Sequence, residues 1–136
     1  MTFELTEIDH VGIAVDDLEA ATERYRRLLG VEPSHRERVD DQGVDEVLFA
    51  IGPSYLQLLG ALGPETPVGR SLAVRGPGLH HVAYRVDDVG AALAHLREEG
   101  ARLVDEVPRR GSRDTLIAFV HPHAMGGVLV ELVQER

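Results

Sequence analysis

An internal repeat limits the folds that this chain of 136 residues can adopt. When the sequence is shifted by 71 residues, the stretch that begins at His10 aligns with the stretch that begins at His81. Eight of the seventeen positions in residues 10–26 are then identical, whereas unrelated sequences would share roughly one. The matches include both histidines and the aspartate pairs at 16–17 and 87–88. The chain is therefore predicted to contain two equivalent modules.

Each module shows the same predicted order of elements, which is a strand, a helix and three further strands. The residues around each repeated histidine alternate with the period of two that is typical of a β-strand. An aspartate then offers a helix N-cap, and Gly30 or Gly100 ends the helix. A further short helix is expected around residues 68–74. The remaining strands are expected at about 34–39, 45–51 and 54–60, and at about 102–106, 115–120 and 127–133.

The predicted fold class is α+β, with two tandem βαβββ modules that form a curved mixed sheet around a metal-binding cavity. A module of about 65 residues has only a small core of its own. We therefore expect residues 1–136 to form a single domain. Its modules would span about 5–62 and 77–135, joined by a linker at about 63–76. Equivalent strand positions of the two modules would face the same cavity.

The composition excludes several kinds of chemistry and partner. The chain has no cysteine, which excludes disulfides, thiolate metal sites and thiol nucleophiles. All 14 basic residues are arginine, so a lysine Schiff base is excluded as well. A formal net charge of −9 argues against nucleic acid as a partner. With no targeting segment and no apolar run of membrane-spanning length, we expect a soluble, cytoplasmic protein without a membrane partner.

Four side chains form a candidate set of metal ligands: His10, Gln57, His81 and Glu131. The histidines share their strand faces with small residues, which is the pattern of a cavity wall. Gln57 and Glu131 lie inside apolar strands near the end of each module, where a buried carboxylate needs a partner or a cation. Each residue alone could be an ordinary surface or core group, but the symmetry of the repeat links them. This mixed nitrogen and oxygen set suits Co²⁺, Mn²⁺, Ni²⁺ or Zn²⁺ and leaves room for a chelating substrate.

The sequence resembles the vicinal oxygen chelate superfamily, the glyoxalase/bleomycin-resistance-like metalloenzymes, and within it the methylmalonyl-CoA epimerase family. The resemblance rests on stretches that follow the family order across almost the whole chain: IDHVGIAV, QGVDEVLF, YLQLL, GLHHVAYRVDD, DEVPRRG, IAFVHP and GGVLVEL. It implies a homodimer with a cobalt-type divalent centre held by His10, Gln57, His81 and Glu131. The sequence departs from the family pattern at residues 111–115, where the family is usually glycine-rich, and at His123, where it often has lysine.

The resemblance also implies a reaction, the interconversion of (R)- and (S)-methylmalonyl-CoA through α-proton abstraction and a metal-stabilised enolate. The substrate would be an acyl-CoA thioester. Glu46 occupies the family's catalytic position, and burial in an apolar wall would raise the pKa of its carboxyl toward neutrality. A one-residue slip of the strand would turn Asp45 inward instead. Glu131 is the second acid–base candidate, and whether it is a base as well as a ligand is left open.

Two other interpretations are compatible with the sequence. One is a different metalloenzyme of the same fold, such as an epimerase of a related acyl-CoA, a glyoxalase-type lyase or an extradiol dioxygenase. The other is a metal-free protein that binds or sequesters a small molecule. Gln57 argues against a dioxygenase, which needs three ligands and an open face, and the full ligand set argues against a metal-free protein. Arginines that could meet CoA phosphates are Arg70, Arg75, Arg109, Arg110 and Arg113.

Overall fold

The computed structural model describes residues 2–136, and within them the chain forms three α-helices and eight β-strands. This confirms the predicted α+β class and the mixed sheet. None of the helices in the described part of the chain is long and apolar enough to cross a membrane. The helices are α1 (Leu18–Leu29), α2 (Pro67–Arg75) and α3 (Val89–Glu98). The strands are β1 (Leu5–Ala14), β2 (His35–Val39), β3 (Val44–Ile51), β4 (Ser54–Ala61), β5 (Gly78–Val86), β6 (Arg109–Arg110), β7 (Leu116–Val120) and β8 (Val130–Gln134).

The described chain divides into two compact units. The first unit spans His10–His80, and the second combines the residues up to Asp9 with His81–Arg136. Each unit contains the helix and the last three strands of one repeat, while β1 begins in the second unit and continues in the first. That residues 1–136 form a single domain with the predicted module limits stays a prediction.

The first unit orders its strands β2-β3-β4-β1. Strand β1 pairs in parallel with β4, while β3 is antiparallel to both β2 and β4. The core on one face is formed by Val47, Phe49 and Leu58, and α1 contributes Ala21 to it. Because alternate residues of a strand point to opposite faces, the residues between these core positions lie on the face away from α1.

The second unit repeats this arrangement, with the order β5-β8-β7-β6. Strand β5 pairs in parallel with β8, and β7 is antiparallel to β8 and β6. Helix α3 packs Leu93 against Ala118, Val130 and Leu132 on one face of the strands. A second cluster on the other face consists of Ala83, Ile117 and Val133, with Phe119 packed against it.

The second module differs from the predicted pattern at residues 102–106, which form only an isolated bridge between Leu103 and Val120. The strand that pairs with β7 is instead the two-residue β6. The cause is Asp105, whose Oδ2 accepts a hydrogen bond from the backbone N–H of Phe119 at 2.8 Å. A side chain therefore takes the donor that a regular ladder would use. The other predicted strands and all three helices form within a few residues of the expected positions.

The repeated aspartates cap the two equivalent helices, since Asp17 accepts from Ala20 N and Asp88 accepts from Ala91 N, each at 3.0 Å. We expect Asp17→Ala and Asp88→Ala each to lower the free energy of unfolding by about 1 kcal/mol, because each leaves a helix N–H without its acceptor. Urea denaturation measures the effect. The Asn variants, which keep an acceptor, should stay close to the wild type, and equal losses for Ala and Asn would contradict the capping role.

Candidate functional site

The predicted site residues of the first unit lie on the sheet face opposite α1. In β3 and β4, the core residues Val47 and Leu58 point toward α1 and lie opposite each other. Glu46 and Gln57 are their neighbours in sequence and so lie on the other face. Both are buried, with Glu46 only 1% exposed. The burial of Glu46 therefore agrees with its predicted inward orientation.

Asp45 does not take the inward position that a strand slip would have given it. It is half-buried, and its carboxylate pairs with Arg36 at 3.1 Å. The register is fixed by the β3–β4 hairpin, in which Leu48 lies opposite Gln57 and Glu46 lies opposite Leu59. The carboxylate that this unit offers to the site face is that of Glu46.

Gln57 binds Glu46 directly, because its Nε2 donates a hydrogen bond to Glu46 Oε2. Its own amide oxygen, Oε1, is buried and has no hydrogen-bond partner within residues 2–136. A buried carbonyl oxygen without a partner is costly unless it binds a ligand or an ion. The small residue Gly12 lies opposite Gln57 on β1 and leaves space beside it. Gln57 can therefore hold Glu46 with one end of its amide and offer an oxygen ligand with the other.

The second unit presents a histidine–carboxylate pair on the face opposite α3. His81 Nε2 lies 3.0 Å from Glu131 Oε1, and both side chains are buried. Glu131 lies opposite Ala83 on β5 and opposite Phe119 on β7. The rings of Phe119 and His81 pack in a T-shaped arrangement, at 5.5 Å between centroids. The pair thus lies in an apolar wall, where a cation or a hydrogen-bond donor must compensate the carboxylate.

His10, His81 and Glu131 are buried side chains that carry metal-ligating atoms, with His10 in the first unit and the His81–Glu131 pair in the second. That the three bind one ion stays a prediction. Two imidazole nitrogens and a carboxylate oxygen are a donor set that first-row divalent ions accept.

The acids of the two units, Glu46 and Glu131, stand at positions that are not equivalent. Gln57 and Glu131 are equivalent, because each lies opposite the small residue two positions after the repeated histidine. Leu48 lies opposite Gln57, and Glu46 is two residues before Leu48. Phe119 lies opposite Glu131, and Ile117 is two residues before Phe119, so Ile117 is the equivalent of Glu46. Glu46 and Glu131 are therefore buried carboxylates at positions of the two units that are not equivalent.

Sequence reasoning missed Asp9, whose side chain is fully buried. Its carboxylate pairs with Arg85 at 2.8 Å and with Arg113 at 2.7 Å. These partners are 76 and 104 residues away in the chain, so no local sequence pattern could predict the ion pairs. Arg113, a candidate for CoA phosphates, therefore uses its guanidinium inside the protein. Arg110 is exposed and pairs with Asp114 at 3.0 Å.

The chain matches known proteins over nearly all of its length. Residues 9–119 match the Glyoxalase/Bleomycin resistance protein/Dioxygenase superfamily. The ethylmalonyl-CoA/methylmalonyl-CoA epimerase of Cereibacter sphaeroides is 38% identical over 93% of this chain and 96% of its own. A solved methylmalonyl-CoA epimerase in complex with methylmalonyl-CoA and NH4+ is 44% identical, covers 97% of this chain and 96% of its own, and has a TM-score of 0.94. The crystal structure of the Mycobacterium tuberculosis methylmalonyl-CoA epimerase is 43% identical and covers 97% of this chain and 89% of its own. Its TM-score is 0.93.

These relatives are all more than 30% identical to this chain and cover at least 93% of it. The chain therefore belongs to the methylmalonyl-CoA epimerase family within the glyoxalase/bleomycin resistance protein/dioxygenase superfamily.

Proposed function

We propose that this protein is a metal-dependent epimerase that interconverts (R)- and (S)-methylmalonyl-CoA. One observation carries the proposal: each unit buries a carboxylate bound directly to a candidate ligand, Glu46 to Gln57 in one and Glu131 to His81 in the other. Epimerisation removes a proton from one face of the carbon next to the thioester and returns a proton to the opposite face. Two separate acid–base groups are what this reaction needs. The named activities of the relatives support the same reaction.

His10, His81, Glu131 and Gln57 would hold the metal ion. The first three offer imidazole nitrogens and a carboxylate oxygen from buried side chains, and Gln57 offers a buried amide oxygen without a hydrogen-bond partner in residues 2–136. When bound, a divalent cation stabilises the negative charge that develops on the thioester oxygen. Co²⁺ is the ion that we propose, and Mn²⁺, Ni²⁺ and Zn²⁺ suit the same ligands.

Glu46 and Glu131 would exchange the protons. In one direction Glu46 takes the α-proton, and a protonated Glu131 delivers a proton to the opposite face of the same carbon. In the other direction the two groups reverse roles. The bond from Gln57 Nε2 fixes the orientation of the Glu46 carboxylate, which keeps the base aimed at one carbon. We propose Glu131 as both ligand and acid–base group.

The acyl-CoA substrate, the homodimer, the cytoplasmic location and the single domain are further parts of the proposal. Support for the substrate comes from the solved relative in complex with methylmalonyl-CoA. The Cereibacter sphaeroides relative is named for both ethylmalonyl-CoA and methylmalonyl-CoA, so both thioesters belong in the assay. Size-exclusion chromatography with light scattering would measure the dimer.

The central test is exchange of the α-proton in D₂O. The purified protein saturated with Co²⁺ should incorporate deuterium at the α-carbon of methylmalonyl-CoA and racemise the (R) form, as followed by NMR. Chelated protein serves as the control for metal dependence. Absence of exchange in the Co²⁺-saturated protein would refute the proposed function. Exchange that persists without a metal would refute only its metal dependence.

Glu46→Gln tests the first acid–base group. The variant keeps the size of the side chain but cannot accept the α-proton, so we expect exchange and epimerisation to fall by at least about 100-fold. Its affinity for Co²⁺, measured by calorimetry, should stay near that of the wild type. The matched control is Asp45→Asn, which removes the same charge at the next residue and should retain activity. Full activity of Glu46→Gln would remove Glu46 from the mechanism.

Glu131→Gln and His81→Ala separate the ligand role from the acid–base role. His81→Ala should lose most of its Co²⁺ affinity, whereas the neighbouring variant His80→Ala should keep it. Glu131→Gln should bind Co²⁺ more weakly, because a charged ligand becomes neutral. It should stay inactive even at saturating Co²⁺ if Glu131 also moves a proton. Recovery of full activity at high Co²⁺ would show that Glu131 is a ligand alone.

A further inference from the structure

The second unit contains a cluster of buried charges that the proposed reaction does not use. At its centre is Asp9, which has no exposed surface. Arg85 and Arg113 both pair with it, and both are only 13% exposed. Glu135 joins the cluster, at 3.2 Å from Arg113 and 3.6 Å from Arg85. Burying several charges is costly and is sustained only when they are well paired, so the cluster is a built feature of the fold.

The cluster lies on the same sheet face as the candidate ligands of this unit. Along β5 that face reads His81, Ala83 and Arg85, because alternate residues share a face. Along β8 it passes from Glu131 through Val133 toward Glu135. Four residues of strand span about 13 Å, which separates the ligands from the charges. The apolar cluster of Ala83, Ile117 and Val133 fills the distance between them.

A short turn at residues 112–114 is bound to this cluster. Arg113 and Asp114 both have left-handed backbone angles, with φ of 55° and 57°. Residues with a side chain seldom adopt this conformation, and it persists where surrounding contacts enforce it. Arg113 is held by Asp9 and Glu135, while Asp114 is held by Arg136 at 2.8 Å. The turn is thus kept in an unfavourable conformation by ion pairs at both residues.

The turn also packs against Ile117, on the sheet face that carries the candidate ligands. A Cβ added to Gly111 would lie 2.6 Å from Ile117 Cγ2, so the backbone approaches Ile117 as closely as glycine permits. Thr115, at the other end of the turn, is buried, and its hydroxyl donates to Ser112 O at 2.8 Å. Ile117 in turn belongs to the apolar cluster beside His81 and Glu131. A shift of the turn would therefore move the wall next to the ligands.

The charges in the cluster argue against a phosphate site. Arg85 and Arg113 are opposed by three carboxylates, those of Glu7, Asp9 and Glu135. Desolvation works against the charged form of Arg85, but hydrogen bonding to Asp9 and its negative charge raise the pKa of Arg85 above its ordinary value. Guanidinium groups that are already saturated by carboxylates have little left for an anionic ligand.

We propose that Asp9 is a positioning residue for the substrate, acting through Arg113. By pairing with Arg113, Asp9 holds the turn at 112–114 in its left-handed conformation against Ile117 and so fixes one wall of the acyl-CoA site. The inference rests on the proposed function for its substrate, but not for its geometry. Since the turn supplies none of the candidate metal ligands, Asp9 and Arg113 should affect substrate binding rather than metal binding.

The decisive experiment compares two substitutions of the same arginine. Arg113→Ala and Arg113→Gly both remove the ion pairs, but glycine adopts a φ of +55° without strain. We expect Arg113→Ala to raise KM for methylmalonyl-CoA about 10-fold, and Arg113→Gly to stay within about 3-fold of the wild type. In both variants kcat should change little. Equal KM values for the two variants would overturn the proposal, because a purely structural ion pair would not distinguish alanine from glycine at this position.

Three further measurements complete the test. Hydrogen exchange of residues 111–115 should be faster in Arg113→Ala than in Arg113→Gly, and equal rates would also count against the proposal. Asp9→Asn should raise KM like Arg113→Ala and leave the Co²⁺ affinity unchanged. A loss of Co²⁺ affinity in Asp9→Asn would show that Asp9 acts through its neighbour His10 instead. The control Arg97→Ala, which removes an exposed ion pair with Glu106, should leave KM unchanged.

The hydrogen-exchange comparison keeps the inference separable from the proposed function. If the wild type does not epimerise methylmalonyl-CoA, the proposed function fails. The exchange rates of residues 111–115 in the two Arg113 variants still decide whether Asp9 and Arg113 hold the turn.

Discussion

The candidate site depends on the register of two parallel strand pairs. In β1 and β4 the register places Gly12 opposite Gln57, and in β5 and β8 it places Ala83 opposite Glu131. The small residue in each pair leaves room for the longer polar side chain beside it. A slip of one residue would turn every one of these side chains to the helix-covered face. Register is strongly specified here because α1 and α3 each cover an apolar face that cannot be exchanged for the polar one.

The two modules share their candidate ligand positions but differ in the positions of their buried acids. Both modules retain the histidine of the first strand and a polar oxygen ligand candidate in the last strand, His10 with Gln57 and His81 with Glu131. The acids differ, because Glu46 has Ile117 as its equivalent in the other module. Two identical half-sites would offer the same groups twice. A reaction that treats two faces of one carbon is better served by two carboxylates in different surroundings, one hydrogen-bonded to an amide and one paired with an imidazole.

The buried ion pairs of Asp9 form a second polar arrangement, separate from the candidate ligands. Asp9 precedes the candidate ligand His10 by one residue, yet its side chain joins a charge cluster with Arg85 and Arg113. A cluster of this kind contributes little net stability, because desolvation offsets much of the attraction. Its effect is on conformation, since it holds a strained turn against the apolar residues beside His81 and Glu131.

Much of the architecture follows from the sequence, because its signals are local or repeated. Alternation with a period of two located the strands, the aspartate caps located α1 and α3, and the repeat linked His10 with His81. That Glu131 and the two histidines bind one ion stays a prediction, and of Asp45 and Glu46 it is Glu46 that is buried, as the strand pattern indicated.

Only the tertiary structure decided the hydrogen bonds and ion pairs of buried polar side chains, because these depend on distances between separate segments of the chain. Asp105 takes the N–H of Phe119 and so prevents a strand at 102–106. Gln57 donates to Glu46 because the hairpin sets them diagonally across two strands. Asp9 finds its arginines 76 and 104 residues away. Hydrophobic period and repeat symmetry determine which face a residue occupies, but the partner of a buried polar atom is set by three-dimensional distance, which no local pattern encodes.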